Sequence, residues 1–317
     1  MSPDKPISAV FIFEITANTR PILTGWVEKG HRIAAIIVPA PRRKKRFSIG
    51  TWRRRLRRKL ALMSNPGGSQ VPLIEFGRPH DWDALARQLA VLGADVLVCF
   101  GFSALIPDTV LNVFPKGGLN LHPALLPHYR GPHPIHRLVI DQQHEIHGGV
   151  TLHKMTSGFD EGDILAQIAF SSEDWSSAAT VSRALASAMK TLVTEFAPEY
   201  CTGALTGKPQ PTGDFTWAQL AHEPLVIGNR WSSGDVVRVW RIAGRSVAIH
   251  VLVNGALVRL AQPIRRVGPA TGEAPVRHWG WVEFDCADGR FAHLLYNGFS
   301  KRLIEWQRIV SRLRTWR

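Results

Sequence analysis

Apolar and polar positions follow two different rhythms along this chain, and the change of rhythm near residue 202 divides it. Ala9 to Phe13 is an unbroken apolar run that predicts a buried strand. Arg20 to Lys29, closed by Gly30, predicts a helix, and Ile33 to Val38 a second strand. Pro72 to Phe76 reads as a short strand. Asp81 to Leu92, closed by Gly93, carries Trp82, Leu85, Leu89 and Leu92 on one helical side. Ala94 to Phe100 is nearly continuous apolar sequence ending at Gly101, the pattern of a strand covered on both faces of a parallel sheet. Gly117 to His122 predicts the next strand, Pro132 to Gln142 a helix and Gly148 to His153 another strand. Ser176 is the expected cap of a helix striped by Val181, Leu185, Met189, Leu192 and Phe196. This alternation predicts an α/β fold with a doubly wound, Rossmann-like sheet, whose reactive crevice lies beyond the carboxyl ends of the strands.

After the Gly/Pro/Thr-rich stretch at 202–214 the rhythm shortens. Arg245 to Gly255, Ala256 to Ala261, Trp279 to Phe284 and Gly289 to Leu295 read as strands joined by Gly/Asn turns, with a helix at Ser232 to Ile242 before them. The expected organisation is a first domain at 1–201, a linker at 202–214 and a smaller β-rich, barrel-like domain at 215–317. At 317 residues the chain exceeds the usual size of one core, which agrees with two domains. The late tryptophans, Trp231, Trp240, Trp279, Trp281, Trp306 and Trp316, fit either a small core or a stacking surface for nucleic acid.

Composition narrows the classes. With 45% apolar and 20% charged residues the chain is globular, and no stretch offers the ~18 consecutive apolar residues of a membrane span. Ala9 to Phe13 is too short for a signal-peptide core, and a buried first strand accounts for it. Cys99, Cys201 and Cys286 are scattered without metal-ligand spacing, so the expected compartment is a reducing cytoplasm. His128, His133, His136, His144, His147 and His153 form no ligand spacing either, and no metal is expected. Phe13 to Asn18 stands where a dinucleotide-binding dehydrogenase carries Gly-x-Gly-x-x-Gly.

The net charge of +14 is concentrated. Between Glu28 and Glu75 no acidic residue occurs, while Arg42 to Arg46, Arg53 to Arg55 and Arg57 to Lys59 supply eleven cations. Trp52, Leu56, Leu60 and Met63 fall at helical spacing among them, which predicts a short amphipathic helix over 51–63 with a basic back. Three uses fit such a helix: a grip on nucleic-acid phosphates, a contact with an anionic membrane surface, or a solvated face.

The candidate chemistry lies between these features. Asn120 and His122 stand two residues apart on a predicted strand, so they project from one face. The turn Ser157-Gly-Phe-Asp160-Glu-Gly162 follows a later apolar segment, and a loop there can set a carboxylate against His122. The outline is an amide donor, an acid/base and an orienter.

Asn120-Leu-His122-Pro with Leu-Leu-Pro127-His-Tyr-Arg130-Gly131, then Gly149-Val-Thr-Leu-His153 and Gly158-Phe-Asp160-Glu-Gly162-Asp163-Ile-Leu, resembles the signature of the 10-formyltetrahydrofolate-dependent formyltransferases. The resemblance covers residues 7 to 200 and is nearest to members acting on methionyl-tRNA. It implies that the chain is an enzyme, that 10-formyltetrahydrofolate is the formyl donor and that a primary amine attacks it. It also implies that Asn120 and protonated His122 face the formyl oxygen, that Asp160 orients His122, and that Asp160 relays the amine's proton through water. Leu97, Phe100, Gly101, Phe102, Ile106, Leu125, Leu126, Pro127 and Gly158 would shape the folate crevice. Arg42, Arg43, Arg53, Arg54, Arg57 and Arg58 would meet the acceptor, which the signature leaves open between methionyl-tRNA and a nucleotide-linked amino sugar or other metabolite amine. An RNA-binding protein on a formyltransferase scaffold is the reading outside catalysis.

Overall fold

The computed structural model describes residues 5–16, 18–40, 71–213, 215–220, 224–244, 246–260 and 265–295. The basic segment, with Arg42, Arg43, Arg53, Arg54, Arg57 and Arg58, lies outside the described residues, as do Trp306 and Trp316. The chain forms two compact units, Met1–Gln219 and Leu220–Arg317.

In the first unit the described strands are β1 (Ser8–Ile12), β2 (Arg32–Pro39), β3 (Leu73–Phe76), β4 (Val96–Phe100), β5 (Gly118–His122), β6 (Gly149–Lys154) and β7 (Ile164–Ala169). They pair in the order β3-β2-β1-β4-β5-β6-β7. The first five are parallel, and β6 and β7 join antiparallel. β1 is buried at every position, as its apolar run requires. The described α-helices are α1 (Arg20–Glu28), α2 (Trp82–Ala90), two four-residue turns α3 (Asp108–Leu111) and α5 (His144–His147), α4 (Pro134–Ile140), α6 (Ala178–Thr191) and α7 (Ala197–Thr202). One core cluster joins Val10, Ile12, Ile37, Leu97 and Cys99 of the strands to Leu85 and Leu89 of α2.

Two local expectations shift. Ser177, one residue beyond the expected Ser176, caps α6, its Oγ accepting the Thr180 N–H at 3.2 Å. The stripe to Phe196 is not one α-helix, because Leu192–Phe196 forms a π-turn ahead of α7. Pro198 has no N–H to return to the preceding turn, and the wider turn precedes it.

The second unit contains β8 (Leu225–Ile227), α8 (Ser233–Ala243), β9 (Ile249–Val253), β10 (Ala256–Arg259), β11 (Arg265–Gly268), β12 (Val276–Arg277), β13 (Trp281–Cys286) and β14 (Gly289–Leu294). Among the described residues they form a three-stranded sheet, β10-β9-β8, and a four-stranded sheet, β11-β14-β13-β12. Asn254 and Gly255, both at positive φ (48 and 78°), make the two-residue turn between β9 and β10. Trp231 is buried with Val239, Phe284 and Phe291, whereas Trp279 is 79% exposed. The described tryptophans are thus divided between core and surface.

The stretch expected to be a linker packs on the first unit. Lys208 exchanges both backbone hydrogen bonds with Ile164 at 2.8 Å, and Ala218 N–H donates to the Arg130 carbonyl at 2.6 Å. The compact units divide at Gln219/Leu220. Among the described residues no helix is long and apolar enough to cross a membrane.

Candidate active site

β5 carries Asn120 and His122 to its carboxyl end, and their shared parity points both at one carboxylate. Asn120 Nδ2 donates to Asp160 Oδ1 at 3.1 Å, and His122 Nδ1 lies 3.4 Å from Asp160 Oδ2. The Asp160 turn reaches them because its backbone is left-handed there (φ 54°) and Gly162 packs where an added Cβ would fall 2.0 Å from the Lys154 carbonyl oxygen. Gly131 N–H donates to Asp160 Oδ2 at 2.9 Å. The three residues expected to converge do so.

Further groups complete the arrangement. His153 stands opposite Asn120 in the β5–β6 register and is buried. Its Nδ1 lies 2.8 Å from the Lys154 carbonyl oxygen, which can only accept, so Nδ1 carries the hydrogen. Nε2 is then free to accept from Asn120 Nδ2 at 3.0 Å. That fixes the amide orientation: its two N–H bonds serve Asp160 and His153. His122 Nε2 lies 2.7 Å from the Tyr129 carbonyl oxygen, another acceptor. Gln210 Nε2 donates to the carbonyls of Asp160 at 2.9 Å and Gly162 at 2.7 Å, while its Oε1 accepts from Arg130 Nε and Nη2 at 3.2 and 2.7 Å.

The electrostatics follow from burial and these partners. Burial alone would raise the Asp160 carboxyl, but His153 (when its ring carries a second hydrogen, on Nε2), His122 and the Gly131 N–H together outweigh it and hold the group down to about 2. For His122 burial wins: it pushes the imidazole pKa down, against the upward pull of Asp160 and the Tyr129 carbonyl. Protonation would nonetheless place the ring between two acceptors, which a neutral ring satisfies only once.

The residues expected to shape a folate crevice separate into two groups. Gly101, at the end of β4, has φ +65° and open space where a side chain would begin. Phe100 and Phe102 are half-buried beside it, and Gly158 sits in the Asp160 turn. This uncovered backbone suits a flat ring lying against the strand end. The Leu97 side chain is fully buried, with register partners Val10 and Gly118 in the sheet, which leaves the expected contact to its backbone. Ile106 is also core, and Leu126 is buried with its N–H on Thr151 Oγ1 at 3.1 Å. Leu125 packs against Gly149, and Pro127 is half-buried. Among the described residues no cluster of three His, Cys, Asp or Glu is placed to hold a metal ion.

A sequence profile of the formyl transferase family matches residues 8–196, more than half of the chain. Methionyl-tRNA formyltransferase of Paraburkholderia phymatum is 28% identical over 184 residues, covering 57% of this chain and 56% of that protein. Its counterpart in Heliobacterium modesticaldum is 28% identical over 205 residues, covering 63% and 60%. The matched part thus spans little more than half the length of these relatives. Among solved structures, an N-formyltransferase from Helicobacter canadensis, in complex with folinic acid and dTDP-3-aminofucose, superposes with a TM-score of 0.60. It is 13% identical, covering 92% of this chain and 100% of that one. HypX from Aquifex aeolicus, in complex with tetrahydrofolic acid, gives 0.57 at 15% identity, covering 91% of this chain and 44% of that one. At these identities the structures speak to the fold.

Proposed function

The chain belongs to the formyl transferase family, and from that premise we propose that it is an N-formyltransferase taking the formyl group of 10-formyltetrahydrofolate onto a primary amine. The observation that carries the reading is the convergence of Asn120 and His122 on the Asp160 carboxylate at the carboxyl end of β5. 10-formyltetrahydrofolate would supply the formyl carbon, whose oxygen gains charge as the amine adds. Asn120 and protonated His122 are the donors for that oxygen, a contribution of roughly 3–4 kcal/mol each in comparable sites. Both are kept oriented by internal acceptors, Asp160 and His153 for the amide, Asp160 and the Tyr129 carbonyl for the ring. Exchange of one such acceptor for the oxyanion needs no rearrangement of the strand.

Asp160, held as the carboxylate, stabilises and orients the imidazolium, and the amine's proton passes through water beside it to N10 of tetrahydrofolate as the C–N10 bond breaks. Gly101, Phe102 and Gly158 are the groups we assign to the folate ring, and Leu97 and Ile106 belong to the core cluster on which Phe102 packs.

Methionyl-tRNA is the acceptor we favour. The 28% identity to methionyl-tRNA formyltransferases and the net charge of +14, concentrated in 42–59, support it. We place the reaction in the cytoplasm. The Helicobacter canadensis structure, matched over its whole length and bound to a nucleotide-linked amino sugar, favours the second reading, an amino-sugar acceptor. The test is formyl transfer from labelled 10-formyltetrahydrofolate, offered charged initiator tRNA in one reaction and nucleotide amino sugars in another. Labelled methionyl-tRNA is expected, and label on sugars alone overturns the tRNA acceptor. Asn120→Ala and His122→Ala should each lower transfer at least ~100-fold, and wild-type rates in both would overturn the enzyme reading.

A further inference from the structure

Gln210 is buried in a segment whose composition reads as a linker, yet both hydrogens of its amide are directed at the Asp160 turn. Oε1 accepts two guanidinium N–H bonds from Arg130, at 3.2 and 2.7 Å, which fixes which end of the amide faces the turn. Nε2 then donates its two hydrogens to the carbonyls on either side of Glu161, those of Asp160 and Gly162, at 2.9 and 2.7 Å. The turn needs such a hold. Asp160 is a non-glycine residue at φ 54°, a strained conformation that persists only where the surroundings enforce it. Gln210 is itself anchored at both ends of its segment, by the Lys208–Ile164 exchange and by the Ala218–Arg130–His133 backbone contacts.

Arg130 links this amide to the other side of the site. The next residue, Gly131, gives its N–H to the Asp160 carboxylate, and the preceding one, Tyr129, gives its carbonyl to His122. The guanidinium is buried and lies over the Phe215 ring at 4.7 Å. One side-chain pair therefore fixes both the backbone that carries the carboxylate and the backbone that receives it.

We infer that Gln210, locked by Arg130, is a positioning residue that sets the Asp160 carboxylate against His122 by holding the Asp160–Gly162 turn. The inference rests on the formyl-transfer reading for its consequence in turnover, but its geometry can be tested without turnover. The groups facing His122 are Asp160, His153 and Arg130, with the Tyr129 carbonyl. Asp160 is the one whose charge draws a proton onto the ring, so withdrawal of its carboxylate lowers the pH at which His122 titrates.

The experiment uses the full chain with labelled histidine, and reads the His122 titration by NMR in wild type, Gln210→Leu and the milder Gln210→Asn. The shorter amide cannot span Arg130 and both carbonyls, and it keeps the test open if the leucine variant does not fold. The His122 midpoint is expected to fall by about 0.5–1 pH unit. The kcat for formyl transfer should fall ~10–100-fold with KM for the folate within about twofold. In an Asp160→Asn background, Gln210→Leu should produce no further shift of His122 and no further loss of kcat. An unmoved midpoint alongside a lower melting temperature would reduce Gln210 to a packing role and overturn the inference. So would an equal effect in the Asp160→Asn background, which would trace it to the released Arg130 charge. If the wild-type chain transfers no formyl group, the functional reading fails while the titration still decides the positioning.

Discussion

Asp160→Asn removes a charge while keeping the side chain's shape, and its effect can be worked from the site. The carboxylate accepts the Gly131 N–H at 2.9 Å and the Asn120 amide at 3.1 Å, faces His122 at 3.4 Å, and is only 13% exposed. Against burial, its partners hold the carboxyl from 3.8 down to about 2. That difference corresponds to about 2–3 kcal/mol by which folding favours the ionised form. Because the folded value is depressed, the contribution is fully present above the unfolded value near 4 and is lost as pH falls toward 2. An asparagine here must also turn its Nδ2 toward either the Gly131 N–H or the Asn120 amide, which sets donor against donor. Urea unfolding of the two proteins at pH 7, 5 and 3 measures the gap. It should be about 2–3 kcal/mol at pH 7 and 5 and shrink clearly at pH 3. Equal stabilities at pH 7, or a gap independent of pH, would refute the account of the carboxylate given above.

Gly131→Ala should destabilise by about 1–3 kcal/mol, because Gly131 has φ +108° and its Cβ would fall 3.0 Å from Trp217 Cε2. Gly203→Ala, at φ +85° with open space around it, should cost only about 1 kcal/mol. Thermal unfolding distinguishes them, and equal losses would remove Trp217 from the explanation. For the acceptor, neutralising Arg53, Arg54, Arg57 and Arg58 together should raise KM for methionyl-tRNA and flatten its salt dependence. An unchanged KM would detach that segment from tRNA recognition.

The sheet was legible because its strands are covered on both faces, and such strands must be apolar throughout. Val96 to Cys99 could not be mistaken for a surface element, and β1 is buried from end to end. β7 is apolar at every position but Gln167, yet it lies at the sheet edge with only Leu165 buried, and its run follows directly on the more conspicuous Asp160 turn, so the pattern does not set it apart as a strand. The 202–214 segment misled through composition. Its glycines, prolines and threonines are those of a flexible linker, but one backbone exchange at Lys208 and one amide at Gln210 fasten it to the first unit.

Within the site the same distinction separates what sequence shows from what it hides. Asn120 and His122 declare themselves through strand parity, a purely local rule, and Asp160 through the glycines that permit its turn. His153 follows the same parity one strand later, two residues after buried Thr151, and the antiparallel register sets it opposite Asn120. That signal was present but had no local partner to give it meaning. Gln210 lies fifty residues from Asp160 and meets it through the backbone, a contact that any polar side chain of suitable length could make and no spacing rule encodes. The resemblance supplied the identities of the reacting groups. What it could not supply is the tautomer logic, in which the Lys154 carbonyl fixes His153, His153 fixes the Asn120 amide, and the amide completes the cradle of the carboxylate. Each link depends on a hydrogen having only one acceptor to choose, and that choice exists only once the strands are paired.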